Sequence, residues 1–237
     1  MCRMLAVLSE NAVPLQPYFD VLSHMAEYGV RAPHRDGYGV VYKDTDNIVV
    51  KELQPAWEHT FNFNGLSTIA AMLHARKSSF GGKTLDNVHP FIEKTDKGTF
   101  IFMHNGTVQD AGDVFPGFTA EGEACDSRMY SHLIAREYER TGSLEEAVCA
   151  VAAKIKLEST GYTSANAIVL SDDSLYIIRS CHEHPEYYTL YYRFEDGTAV
   201  VTTEPGKIGE WLLIGNHTVS KITHSENGYR FDKIASL

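Results

Sequence analysis

Five short groups in this sequence set functional side chains beside small or turn-forming residues. They are Cys2, His34-Arg35-Asp36-Gly37-Tyr38-Gly39, His74-Ala75-Arg76, His104-Asn105-Gly106 and Cys125-Asp126-Ser127. A thiol is a nucleophile only as its thiolate, and a free one, with a pKa of about 8.5, needs a base to ionise near neutrality. Each group also has an ordinary explanation. A lone cysteine is a small buried hydrophobe, Asn-Gly is a common turn, and an aspartate before a helix is a favoured N-cap. An arginine such as Arg76 can be a surface ion pair, and His34, His74, His89 and His104 can be satisfied structural histidines.

The surrounding pattern places most of these groups at strand ends, where a rigid scaffold commonly carries its site. Arg3 to Leu8 reads as a buried strand, and Thr68 to His74 and Thr99 to His104 as strands that each end in histidine. Tyr38 to Lys43 and Ile48 to Leu53 flank Asp44-Thr45-Asp46-Asn47, a hairpin pattern. Pro14 and Pro17 confine the start of a helix ending near Tyr28. A second helix follows Asp126, with Met129, Tyr130, Leu133, Ile134 and Tyr138 on one stripe and Gly142 as its stop. Ser143 and Glu146 form a capping box for a third, whose apolar face carries Leu144, Ala147, Val148, Val151, Ala152 and Ile155. Further strands are predicted at Ala165 to Leu170, Ser174 to Arg179, Tyr187 to Phe194, Ala199 to Thr203 and Trp211 to Ile214, with a hairpin turn at Asn227-Gly228. This order predicts an α+β protein with helices packed outside two sheets.

Composition removes several function classes. The chain has 237 residues, 43% hydrophobic and 22% charged, which is globular and large enough for an unstapled core. With 21 basic and 31 acidic residues its formal charge is −10, a poor balance for neutralising phosphates, so no nucleic-acid partner is expected. No apolar run approaches the roughly 20 residues of a spanning helix, and Met4 to Leu8 is too short for a signal-peptide core of about 7–15. The expectation is a cytoplasmic protein with no membrane partner. The four cysteines, Cys2, Cys125, Cys149 and Cys181, form no C-x-x-C pair and are expected to be free thiols. His182-Glu183-His184 supplies too few ligands for a metal and reads as a solvated loop.

Taken together, Met-Cys at the start, His74-Ala75-Arg76, Asn87-Val88-His89-Pro90, His104-Asn105-Gly106 and Asp126-Ser127 resemble the class-II glutamine amidotransferase domain of the N-terminal-nucleophile hydrolases. They occur in family order over roughly the first 135 residues. The run His34 to Gly39 is most similar to stand-alone γ-glutamyl amidohydrolases of that family. The resemblance implies a four-layer αββα sandwich of two mostly antiparallel sheets, spanning residues 1–237 as one domain. It implies that removal of Met1 exposes Cys2, whose α-amine, with an ordinary pKa of about 7.7–8.0, acts as base for its own thiol. Asn105 and Gly106 then donate to the oxyanion. Arg76 offers a planar fork to the substrate α-carboxylate, and Asp126 accepts from the α-ammonium. Arg35 supports the chain terminus from behind.

The stretch after Arg76 departs from the Trp-Ala-Thr-His-Gly of the biosynthetic members. Ser79 keeps a hydroxyl for the substrate, Phe80 stands in the place of a histidine, and Arg128 in the place of a common glutamate. Residues Ser78 to Gly82 are expected to form a flap. These departures leave room for a γ-glutamyl amide other than glutamine. The resulting expectation is a stand-alone hydrolase of a glutamine or γ-glutamyl side-chain amide, working through a Cys2 thioester with no metal or organic cofactor. The alternatives are a catalytically silent glutamine- or γ-glutamyl-binding module, the glutaminase subunit of a two-chain amidotransferase with a partner synthase, and an acylase indifferent to Arg76.

Overall fold

A computed structural model describes residues 2–79, 81–115, 124–207 and 209–237. The chain begins with β1 (Arg3–Pro14), α1 (Gln16–Tyr28), β2 (Tyr38–Lys43), β3 (Asn47–Glu52), β4 (Ser67–Ala75), β5 (Phe91–Thr95) and β6 (Gly98–Val108). It continues with α2 (Ala111–Val114), α3 (Asp126–Thr141), α4 (Leu144–Glu158), β7 (Tyr162–Leu170) and β8 (Ser174–Arg179). The last strands are β9 (Tyr191–Glu195), β10 (Thr198–Thr202), β11 (Leu212–Leu213), β12 (Thr218–Ser225) and β13 (Gly228–Ser236).

The strands make two sheets. One has seven strands in the order β11-β9-β10-β1-β4-β2-β3, and the other six in the order β13-β12-β8-β7-β6-β5. Every pairing is antiparallel. Alternation along β1 explains the stacking, because successive side chains of a strand point to opposite faces. Met4, Ala6 and Leu8 enter the core between the sheets with Met103 of β6 and Ile177 of β8. Leu5 and Val7 enter a second core with Phe19 and Leu22 of α1. A third core joins the outer face of the six-stranded sheet to α3 and α4. The result is the expected αββα arrangement. With both faces covered, β1 reads in sequence as a continuous apolar run rather than as an alternation.

The helix ends follow the sequence signals. Gly142 adopts the left-handed conformation with φ 74° and returns its N–H to Tyr138. Ser143 accepts from the Glu146 N–H at 3.3 Å, while the Ser143 N–H goes to the Thr141 hydroxyl rather than to the glutamate, so only half of the capping box forms. Other expectations change. Tyr187 and Tyr188 both turn their N–H groups onto the His184 carbonyl, so the strand predicted from Tyr187 starts at Tyr191. The Trp211 strand shrinks to two residues. The pattern gives β12 and β13 only through their turn, because β13 is a sheet edge of mixed burial. No helix among the described residues is long and apolar enough to cross a membrane.

Candidate active site

Cys2 stands immediately before β1, a central strand held between β10 and β4. The register pairs Arg3 with Ala75, which brings Cys2 to the turn that follows β4. There its Sγ lies against the backbone of one residue, with the Lys77 N–H at 3.5 Å and the Lys77 carbonyl at 3.7 Å. The next residue, Arg3, is fully buried, pairs with Glu204 and donates to the Val30 carbonyl at 3.0 Å. These contacts hold the start of the strand against the surrounding loops.

The other half of the site comes from the facing sheet. Asn105, on β6 and fully buried, accepts the Cys2 N–H on Oδ1 at 2.7 Å. Its Nδ2 is buried with no hydrogen-bond partner among the described residues. An unpaired buried donor costs about 1–3 kcal/mol, so its presence beside a thiol marks a place where an acceptor is expected. Gly106 has φ 150°, and a Cβ there would sit 1.8 Å from the Ser164 carbonyl of the neighbouring strand, so only glycine fits. Asn105 and Gly106 therefore lie within β6 and are not an isolated Asn-Gly turn.

Buried histidines brace this corner. His104 Nε2 donates to the Ser164 carbonyl at 3.1 Å, which leaves Nδ1 to accept from the Ser127 hydroxyl at 2.8 Å. His74 Nε2 donates to the His104 carbonyl at 3.2 Å, and the His74 ring stacks on His89 at 4.2 Å. Burial is the first cause that lowers the basicity of all three, with the charge of Arg76 adding to it at His74 and His89. They are neutral spacers. Gly39, paired with His74, comes so close to the His89 carbonyl that a Cβ would lie 2.1 Å from it.

The groups expected to hold substrate are built differently. Arg76 is 3% exposed, and its backbone is pinned by the Gly37 carbonyl at 2.8 Å and the Asp36 N–H at 3.1 Å. The Asp36 carboxylate also takes the Ser78 N–H at 2.9 Å. Asp126 is the first residue of α3, but Cys125 occupies the N-cap position. The Asp126 carboxylate instead takes the Val108 N–H at 2.8 Å, two residues beyond Gly106. Ser79 is exposed and shares a hydrogen bond of 2.6 Å with Thr107. Arg35 is placed otherwise than expected. It is exposed, and its guanidinium lies over the Trp57 ring at 5.3 Å, with no hydrogen bond or ion pair to Cys2. An aromatic face accommodates a solvated cation without desolvating it. Met1 and Phe80, the latter one position of the expected flap, lie outside the described residues. His182 and His184 are exposed, in the solvated loop expected of them.

Sequence reasoning missed several contributors. Asp36 sits inside the His34 to Gly39 run and was the available signal there. Thr163 receives the Thr107 N–H at 3.1 Å and its hydroxyl bonds the Tyr188 phenol, which lies within electrostatic range of Cys2. Nothing local in the sequence marks Thr163 or Tyr188, since one arrives from β7 and the other from the turn before β9. At the remaining cysteines burial disfavours the thiolate. Burial raises Cys125 to about 11, and raises Cys149 and Cys181 as well.

Comparison with known proteins gives one consistent result. The family model described as class-II glutamine amidotransferases matches residues 1–184. The chain is 23% identical over 255 residues to YafJ of Escherichia coli K12, named as a glutamine amidotransferase, covering 95% of this chain and 96% of YafJ. Two Methanocaldococcus jannaschii relatives are longer, and the chain spans 39% and 32% of their lengths. Among solved structures, the glutamine PRPP amidotransferase of B. subtilis superimposes with a TM-score of 0.70 at 14% identity, over 99% of this chain and 49% of that one. A glutamine aminotransferase class-II domain protein of Silicibacter pomeroyi superimposes with a TM-score of 0.63 at 18% identity, over 99% of this chain and 100% of that one. At these identities the superpositions speak for the fold.

Proposed function

Because the chain belongs to the class-II glutamine amidotransferases, we propose that it is a stand-alone amidohydrolase that cleaves the side-chain amide of glutamine or of a γ-glutamyl amide through Cys2. The observation that carries this reading is the placement of Asn105, which holds the Cys2 nitrogen at 2.7 Å on one side-chain atom and keeps the other as a buried, unpartnered donor.

The chemistry follows from those atoms. Removal of Met1 turns the Cys2 nitrogen into a primary amine with an ordinary pKa of about 7.7–8.0, matched to proton transfer near neutrality. The amine takes the thiol proton, directly or through a water. The thiolate attacks the side-chain carbonyl carbon, and its electron pair moves onto oxygen. Asn105 Nδ2 and the Gly106 N–H hold that oxyanion. Collapse breaks the carbon–nitrogen bond, and the ammonium of Cys2 returns the proton to the leaving ammonia or amine. Water, deprotonated by the same amine, then opens the γ-glutamyl thioester. Arg76 binds the substrate α-carboxylate, Asp126 its α-ammonium, and Ser79 adds a hydroxyl at the exposed rim. No step calls for a metal or organic cofactor. A synthase docked over the site would make the same chemistry the glutaminase half of a two-chain amidotransferase.

The test is a glutamine-like diazo-ketone electrophile followed by peptide mapping. The expected result is one adduct, on Cys2, blocked by excess glutamine. Label spread over Cys125, Cys149 and Cys181 overturns the assignment. Intact mass of protein from its native source supplies the second check. Retained Met1 removes the base and leaves the silent binding module as the reading.

A further inference from the structure

The motif Asn87-Val88-His89-Pro90 has no part in the chemistry above, yet Asn87 is 2% exposed and carries two hydrogen bonds that tie separate parts of the site together. Its Nδ2 donates to the Gly82 carbonyl at 3.0 Å, and its Oδ1 accepts from the Cys125 N–H at 3.0 Å. The two partners fix the orientation of the amide, since a carbonyl must meet nitrogen and an N–H must meet oxygen. Both partners adjoin the expected substrate groups. The Gly82 carbonyl also receives Arg76 Nη1 at 3.1 Å. Cys125 holds the N-cap position of α3 and directly precedes Asp126.

Arg76 follows β4 of the seven-stranded sheet, whereas Asp126 opens a helix packed on the six-stranded one. Apolar packing between layers is non-directional and sets no spacing between two particular side chains. Asn87, at the end of a short turn over Leu85–Asn87, bridges the two with directional bonds. Neither bond survives in a side chain of other shape. Leucine keeps the volume and loses both, and aspartate keeps the acceptor and loses the donor.

We propose that Asn87 is a positioning residue that sets the distance between Arg76 and Asp126. A change in that distance weakens the grip on the amino-acid end already assigned to Arg76 and Asp126 and leaves the thiol as it is. This rests on the amidohydrolase reading and deepens it.

The test compares wild type with Asn87→Leu and Asn87→Asp. Two probes are used, the glutamine-like diazo-ketone, which engages the amino-acid end, and iodoacetamide, which does not. The expected result is a concentration for half-maximal inactivation by the diazo-ketone raised about ten- to a hundredfold, the range a misplacement near 1 Å can cause. The limiting inactivation rate and the iodoacetamide rate stay close to wild type. In an Arg76→Ala background the Asn87→Leu change adds little further. An N-acetylated diazo-ketone is expected to inactivate wild type no better than it does the Asn87 variants. Should the leucine variant not fold, the aspartate variant, which keeps the Cys125 bond, provides the same readout. Unchanged half-maximal concentrations, or parallel loss with both probes, overturn the role of Asn87. Failure of the diazo-ketone to label wild-type Cys2 overturns the amidohydrolase reading instead.

Discussion

The two corners of the site are held by different means. The Cys2–Asn105 corner is made of strand backbone. Cys2 precedes a central strand, Asn105 and Gly106 lie within another, and buried neutral histidines fill the space between. The Arg76–Asp126 corner is made of turns and a helix start, joined by side-chain bonds from Asp36 and Asn87. Strand ladders leave little freedom, so under the proposed function the first corner suits the steps that are the same for every substrate. Turns exchange residues at lower cost, so the second suits the choice among substrates.

That contrast is open to direct attack. Replacing Cys2 with serine is expected to abolish diazo-ketone labelling by about a thousandfold or more, since a serine hydroxyl is a far weaker nucleophile with the same amine. The adduct count by mass spectrometry decides it. Asn105→Ala is expected to lower the limiting inactivation rate by about 10²–10³ while the half-maximal concentration holds, as for loss of one oxyanion donor. A change in the half-maximal concentration alone would place Asn105 in binding. Arg76→Ala should do the reverse, raising the half-maximal concentration about ten- to a hundredfold for loss of a charged hydrogen bond. An unaltered value would favour an acylase indifferent to the carboxylate.

The first corner should also respond to acid. Burial keeps His74, His89 and His104 neutral in the fold. The unfolded chain takes up protons at those residues below pH about 6.5 and the folded chain does not, so stability falls as pH drops below that point. The slope is at most about 1.4 kcal/mol per pH unit for each histidine. Melting curves at pH 7.5, 6.5 and 5.5 measure it, and a flat midpoint would mean the rings are charged. The smallest effect belongs to Ser79→Ala, a change of about threefold or less in the half-maximal concentration, because its hydroxyl is exposed and already bonded to Thr107.

The same contrast explains what could be read from sequence. The apolar strand runs beside Cys2, Asn105 and Gly106 and the two patterned helices were legible as two sheets with helices outside them, whereas the four-layer sandwich and the roles expected of those three residues rested on the family resemblance. Asn87 stood in a quoted motif with no role, because its partners Gly82 and Cys125 meet only in the fold. Arg35 was expected beside the chain terminus from the family resemblance, but it turns to Trp57, and of that run it is Asp36 that reaches the loop after Arg76, through the Ser78 N–H. Asp126 read equally well as a helix cap, a role Cys125 takes. The last two strands, β12 and the edge strand β13, hid because their partly exposed faces dilute the apolar pattern.

Gly39 of β2 leaves no room for upholstery against the main chain at His89, two residues before β5 begins. A single methyl group introduced there acts as a shim, forcing β2 and the His89 main chain apart beside the ring that stacks on His74.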